Sequence, residues 1–141
     1  YHVLVNGCFM GGEVAYDNQR FEMIWRLVNR WADKERLIAE HMSQAFAQET
    51  GLPAFTYKGP NALKIGAVEG VWARNLLANR IYEAPVVFLE PYIANSEEVY
   101  QRLQMVEPDV AGNHDIQRGK TIVKEYVDAV LLGLDQANNR K

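Results

Sequence analysis

The chain has 141 residues, 48% hydrophobic and 23% charged, a composition that excludes a disordered segment and fits one globular domain with a real core. Its 15 Lys and Arg against 18 Asp and Glu give a formal net charge of -3, so the basic footprint of a nucleic-acid binder is missing. No apolar run approaches the roughly 18 residues needed to span a bilayer, and Cys8, the single cysteine, can form neither an internal disulfide nor a thiolate zinc pair.

The chain opens with Tyr1-His2-Val3-Leu4-Val5, a short strand broken by Asn6-Gly7. A chain that begins inside a strand is expected to be part of something longer. After Gly11-Gly12, Glu13-Val14-Ala15-Tyr16 reads as a second short strand. Phe21, Ile24, Trp25 and Val28 fall at helical spacing, which predicts a helix over 20–32. A second helix is expected over 34–50. Asp33 is its N-cap, Ile38, Met42, Ala45 and Phe46 form its apolar stripe, Lys34, Glu35, Glu40 and Gln44 its polar face, and Gly51 its terminator.

Residues 52–70 carry Pro53, Gly59, Pro60, Gly66 and Gly70 and read as a loop with room for one short strand, while 71–79 fit strand or helix equally. Val86-Val87-Phe88-Leu89 is an unbroken apolar run between Pro85 and Pro91, the pattern of a strand inside the sheet. Asn95-Ser96-Glu97-Glu98 is a capping box that starts a helix running through Leu103. An irregular loop is expected over 104–118. The strongest periodicity is in the last helix, where Val123, Tyr126, Val127, Val130, Leu131 and Leu134 repeat at three- and four-residue spacing and are expected to pack on the sheet. Strands alternating with helices predict an α/β fold with a mostly parallel or mixed sheet covered by helices. With no internal repeat or linker, residues 1–141 read as one domain.

The segment from Pro85 through Glu98 resembles the end of the catalytic domain of the zinc-dependent N-acetylmuramoyl-L-alanine amidases, where a proline opens a buried strand that ends at a glutamate. Glu90, Tyr92 and Asn95 keep that pattern's offsets, while Pro91-Tyr92 replaces the usual Gly-Phe. Asn6-Gly7, Gly12 through Tyr16, Leu37 through Glu40, Thr50-Gly51-Leu52, Lys58-Gly59 and Arg80 are similar to further family pieces in the same order. The resemblance implies a peptidoglycan hydrolase that cleaves the amide between N-acetylmuramic acid and L-alanine, acts on peptidoglycan or a muropeptide in a periplasmic or extracellular setting, and uses zinc. It implies Glu90 as the catalytic residue, Arg80 and Asn95 as substrate-binding residues, and His2 as a metal ligand. The family's first strand and helix, with two of its zinc ligands, have no counterpart here. Its third ligand histidine falls on Leu4, with His2 on the same strand face two residues earlier.

Plainer roles compete at each position. A strand-end glutamate is often a cap, a histidine near a terminus is usually exposed, and Arg80 could form an ordinary salt bridge. His41 lies on the expected polar face of its helix and reads as solvated. His114-Asp115 pairs a metal-capable histidine with a helix-capping aspartate. Trp25, Trp31 and Trp72 suit either a sugar groove or the core. Two other classes remain open: an amidase-like fold that binds cell wall or a protein partner without catalysis, and another zinc amidohydrolase or carboxypeptidase of similar topology.

Overall fold

The computed structural model describes residues 1–9, 15–104 and 122–139. Strand β1 (His2–Asn6) is followed by helices α1 (Asp17–Val28) and α2 (Trp31–Thr50), strands β2 (Leu63–Lys64) and β3 (Val71–Arg74), a 3-10 turn at Leu77–Asn79, strand β4 (Phe88–Glu90), and helices α3 (Glu97–Gln104) and α4 (Ile122–Asn138). The four strands form one mixed sheet in the order β2-β3-β1-β4. β1 runs parallel to β3 and antiparallel to β4, and β2 runs antiparallel to β3. The fold is α/β, with a mixed sheet packed against helices.

Val3 and Val5 of β1, Val71 and Ala73 of β3, and Leu89 of β4 meet Ala39, Met42, Ala45 and Phe46 of α2 in the main hydrophobic core. Met42, Ala45 and Phe46 are three of the four residues of the stripe expected of α2; the fourth, Ile38, is partly buried against the core, and Ala39 takes the fully buried place beside it. The helix ends as expected at Gly51, whose φ of 64° is the left-handed conformation and whose N–H donates to Ala47 O at 3.1 Å. Its start is different. Arg30, at φ 54°, precedes the first helical residue, Trp31, and Asp33 lies inside the first turn, bonded to Arg30 Nε at 3.0 Å. The predicted single helix over 20–32 is thus a helix ending at Val28 and a sharp turn into α2.

Glu35 departs furthest from its expected place on a polar face. It is 1% exposed and forms an ion pair with the buried Arg26 of α1. Its Oε1 also accepts Val86 N at 2.9 Å. Arg26 donates to Asn79 O at 3.1 Å, and Asn79, fully buried, directs its amide at Leu4 O (3.4 Å) and Val86 O (3.3 Å). His41 is likewise buried rather than solvated.

The strand expected inside the sheet is at its edge. Among the described residues β4 has one neighbour, β1, and it spans only Phe88–Glu90. An unbroken apolar run reports that both faces of a strand are covered, and they are: Val87 and Leu89 pack on the core, while Phe88 aligns with Leu4 on the opposite side. It does not report that both edges are paired. Val86 spends its N–H and C=O on Glu35 and Asn79 instead of a ladder, and Pro91 has no N–H to extend one, so prolines here mark an edge.

Helix α4 packs on α2 instead of the sheet, through the small residues Ala129 and Gly133, and Val123, Val127, Leu131 and Leu134 are exposed. The predicted helix at 97–103 is α3. The open reading of 71–79 resolves into β3 and the 3-10 turn. Of the expected strand at 13–16, Glu13 and Val14 lie outside the described residues, as does the loop from 105 onward, with His114 and Asp115.

A Cβ at Gly133 would sit 2.8 Å from Met42 Sδ and 3.1 Å from Met42 Cα. Gly133→Leu should therefore destabilise the domain by about 1–3 kcal/mol through overpacking, while Leu131→Ala, on the exposed face, should stay within about 0.5 kcal/mol. Urea unfolding of both variants checks the helix orientation, and the reverse ranking would contradict it.

Candidate functional site

Alternation along β1 sends His2, Leu4 and Asn6 to the sheet face opposite α2. The strand registers pair His2 with Glu90, Leu4 with Phe88 and Trp72, and Asn6 with Arg74, so these side chains share that face. The loop at 55–57 crosses it. Phe55 N donates to Tyr1 O at 2.8 Å, and Trp72 Nε1 donates to Phe55 O at 3.1 Å. Phe55 and Tyr57 are thereby laid on the imidazole of His2, with ring centroids 5.3 and 5.4 Å away, and Tyr57 also meets Trp72 edge-on at 5.3 Å.

Inside this aromatic enclosure His2 is 4% exposed. Its Nε2 is hydrogen-bonded to Glu90 Oε2 and lies 3.1 Å from Tyr57 OH. Its Nδ1 is buried with no hydrogen-bond partner among the described residues. A protonated ring would leave an N–H stranded there. The neutral tautomer with hydrogen on Nε2 strands only a lone pair, so the network assigns His2 as neutral and donating to the Glu90 carboxylate. Burial pushes the imidazole pKa below its usual 6.5; Glu90 opposes the shift, while the amino terminus and Arg74 add to it. The Glu90 side chain is 41% exposed, so its carboxylate is anchored by His2 and still meets solvent. Beyond Tyr57, Arg74 Nη1 donates to the phenol oxygen at 3.3 Å, and the guanidinium lies 5.2 Å over the ring.

The structure thus brings together His2 and Glu90. Asn95 lies on the wall of a cavity of about 380 Å³ that is also lined by Tyr1, Phe55, Ile93 and Val99. Phe55 is shared between this cavity and the enclosure around His2. Arg80 does not join the cluster: its guanidinium pairs with Glu22 at 3.3 Å and bonds Asn75 Oδ1 at 3.0 Å. Cys8 Sγ donates to Pro60 O at 3.4 Å. Trp31 and Trp72 are buried, while Trp25 is 47% exposed. Sequence reasoning missed Tyr57 and Arg74. The alternations Phe55-x-Tyr57 and Trp72-x-Arg74 were the available signal, hidden in segments read as loop or as undecided.

A catalytic zinc centre takes three protein ligands and one open position. The described residues contain no group of three or more His, Cys, Asp and Glu side chains able to hold a metal. His2 and Glu90 are two donors already bonded to each other, and Leu4 is a fully buried hydrocarbon on the same face. The described residues therefore do not fit a three-ligand zinc site.

Two outcomes follow from this arrangement. After exhaustive dialysis the chain should retain zinc well below stoichiometry, and tight one-to-one zinc by metal analysis would contradict the donor count. An imidazole with a lowered pKa carries fewer protons folded than unfolded, so its stabilising contribution is complete above pH 6.5 and is lost as pH falls from there toward the lowered value. Unfolding curves at pH 7.5 and 5.5 should show a larger loss for the parent than for His2→Gln, and the His2 ring protons should titrate below 6.5 in NMR. A midpoint at or above 6.5 would contradict the assignment.

No family model, curated protein or solved structure matches this chain.

Proposed function

We propose that this chain is an amidase-type hydrolase domain acting on the amide bond between N-acetylmuramic acid and L-alanine in peptidoglycan, with Glu90 as its general acid–base. One observation carries the reading. His2 and Glu90, 88 positions apart and each singled out by the resemblance for a different role, are hydrogen-bonded partners on neighbouring strands. Amide cleavage needs a group that takes a proton from attacking water and returns one to the departing amine. A carboxylate fixed on one side by a neutral imidazole and open to solvent on the other suits that exchange. The cavity walled by Asn95 and Phe55 lies alongside, where a muropeptide would be held. Such a substrate places the domain in the periplasm or outside the cell. Zinc is the cofactor the resemblance implies, yet the described donors fall short of a centre, so the reading assigns these residues proton exchange and substrate binding alone.

The second reading is a domain of the same lineage that binds cell wall without cleaving it. Leu4 favours it, because a buried leucine stands where the resembled family has a ligand histidine.

Incubating the chain with a muropeptide, with and without added zinc, and following the released L-alanine amino terminus by mass spectrometry separates the readings. Glu90→Gln keeps a carbonyl for the His2 N–H but cannot exchange protons. It should lower turnover on the order of 10²–10⁴-fold while leaving the unfolding midpoint close to the parent's. Turnover within about threefold of the parent, well short of that range, would make Glu90 a structural residue. Muropeptide binding without cleavage would establish the second reading, and absence of both would overturn each.

A further inference from the structure

We propose that Arg74, presented by Tyr57, recognises a carboxylate on the substrate next to the amide handled by His2 and Glu90, which makes an anionic acyl-peptide the preferred ligand class. The proposal rests on the amidase reading of the same site. Four arginines among the described residues are withdrawn from full exposure. Arg26, Arg80 and Arg102 each hold a carboxylate: Glu35, Glu22, and both Glu98 and Glu125. Arg74 holds none. Its contacts are the Tyr57 hydroxyl at 3.3 Å and the Tyr57 ring at 5.2 Å, both of which orient the guanidinium without neutralising it.

Orientation without neutralisation is what a ligand-binding arginine requires. The planar fork has five N–H donors, and Tyr57 takes one of them, leaving an edge for bidentate pairing with a carboxylate. The position follows from the strand: Arg74 stands opposite Asn6 on the face that carries His2 and Glu90. The Tyr57 oxygen, 3.1 Å from His2 Nε2 and 3.3 Å from Arg74, bridges the cation to the histidine–carboxylate pair. A ligand carboxylate on Arg74 is therefore about one side chain away from Glu90. The guanidinium offsets the repulsion that an anionic substrate would otherwise meet from that glutamate.

The test uses acetyl-L-alanyl-glutamate and its diamide, which match in size and differ in charge at the carboxyl groups, alongside a muropeptide with free and with amidated carboxylates. Calorimetry on the parent should show the acid form bound roughly 10- to 100-fold more tightly than the amide form, the range of a charge-assisted pair. Arg74→Gln should abolish that preference, Arg74→Lys should retain part of it, and circular dichroism should show all three proteins folded. Equal binding of acid and amide forms by the parent, or a preference that survives in Arg74→Gln, would overturn the role of Arg74 while leaving the amidase reading intact. Binding of the amidated muropeptide alone would do the same. Failure of every ligand to bind would overturn both.

Discussion

The buried ion pair between Arg26 and Glu35 holds the frame on which everything else is hung. Glu35 is almost completely removed from water, and a lone carboxylate there would be strongly destabilising; its Oε1 instead accepts from both the Arg26 guanidinium and the Val86 amide. Arg26 continues to Asn79 O, and Asn79 reaches Leu4 O and Val86 O. One polar chain therefore ties α1, α2, the 3-10 turn, β1 and the approach to β4. Removing one member of such a pair leaves the other charged and unpaired, a cost of about 3–5 kcal/mol. The network also sets where β4 begins, and so which of its residues lies opposite His2.

That last consequence links the frame to the site. The β1–β4 ladder is short, with three aligned pairs, and His2 opposite Glu90 is its last. Pro91 ends the ladder one residue later because it has no N–H to give. The carboxylate is thus delivered at the very end of an edge strand, where one side leans on a buried imidazole and the other faces solvent. The loop at 55–57 closes the arrangement from above, held by its backbone to Tyr1 and Trp72. A desolvated neutral histidine, an anchored carboxylate and an oriented arginine then occupy one face of three strands, while the opposite face is hydrocarbon packed on α2.

Parts of this were legible in the residues. The stripe Met42, Ala45 and Phe46 specified the buried side of α2, and Gly51 its end, because helical periodicity and left-handed glycine are local properties. The side-chain period of two placed His2 and Leu4 together. Other parts misled for identifiable reasons. Glu35 looks like a surface glutamate until Arg26 arrives from another helix. Of the apolar stripe read in α4, Val130 packs on the core and Tyr126 stacks on Phe46, but Val123, Val127, Leu131 and Leu134 face outward, because Ala129 and Gly133 permit the closer approach to α2. The proline-bounded run at 86–89 described its covered faces and was silent about its edges.

The sequence by itself determined the α/β class, the C-terminal end of α2, the span of α3, and Glu90 and His2 as residues worth watching. All of these depend on neighbours within a few positions or on the match of a short segment to a known pattern. Only the tertiary structure decided that His2 and Glu90 are partners, that Tyr57 and Arg74 belong with them, and that Arg80 does not. Those facts require strands and loops 17 to 88 positions apart to be brought into register. Register is set by the whole packed sheet and the buried Arg26–Glu35 network beneath it, and no local pattern of residues encodes it.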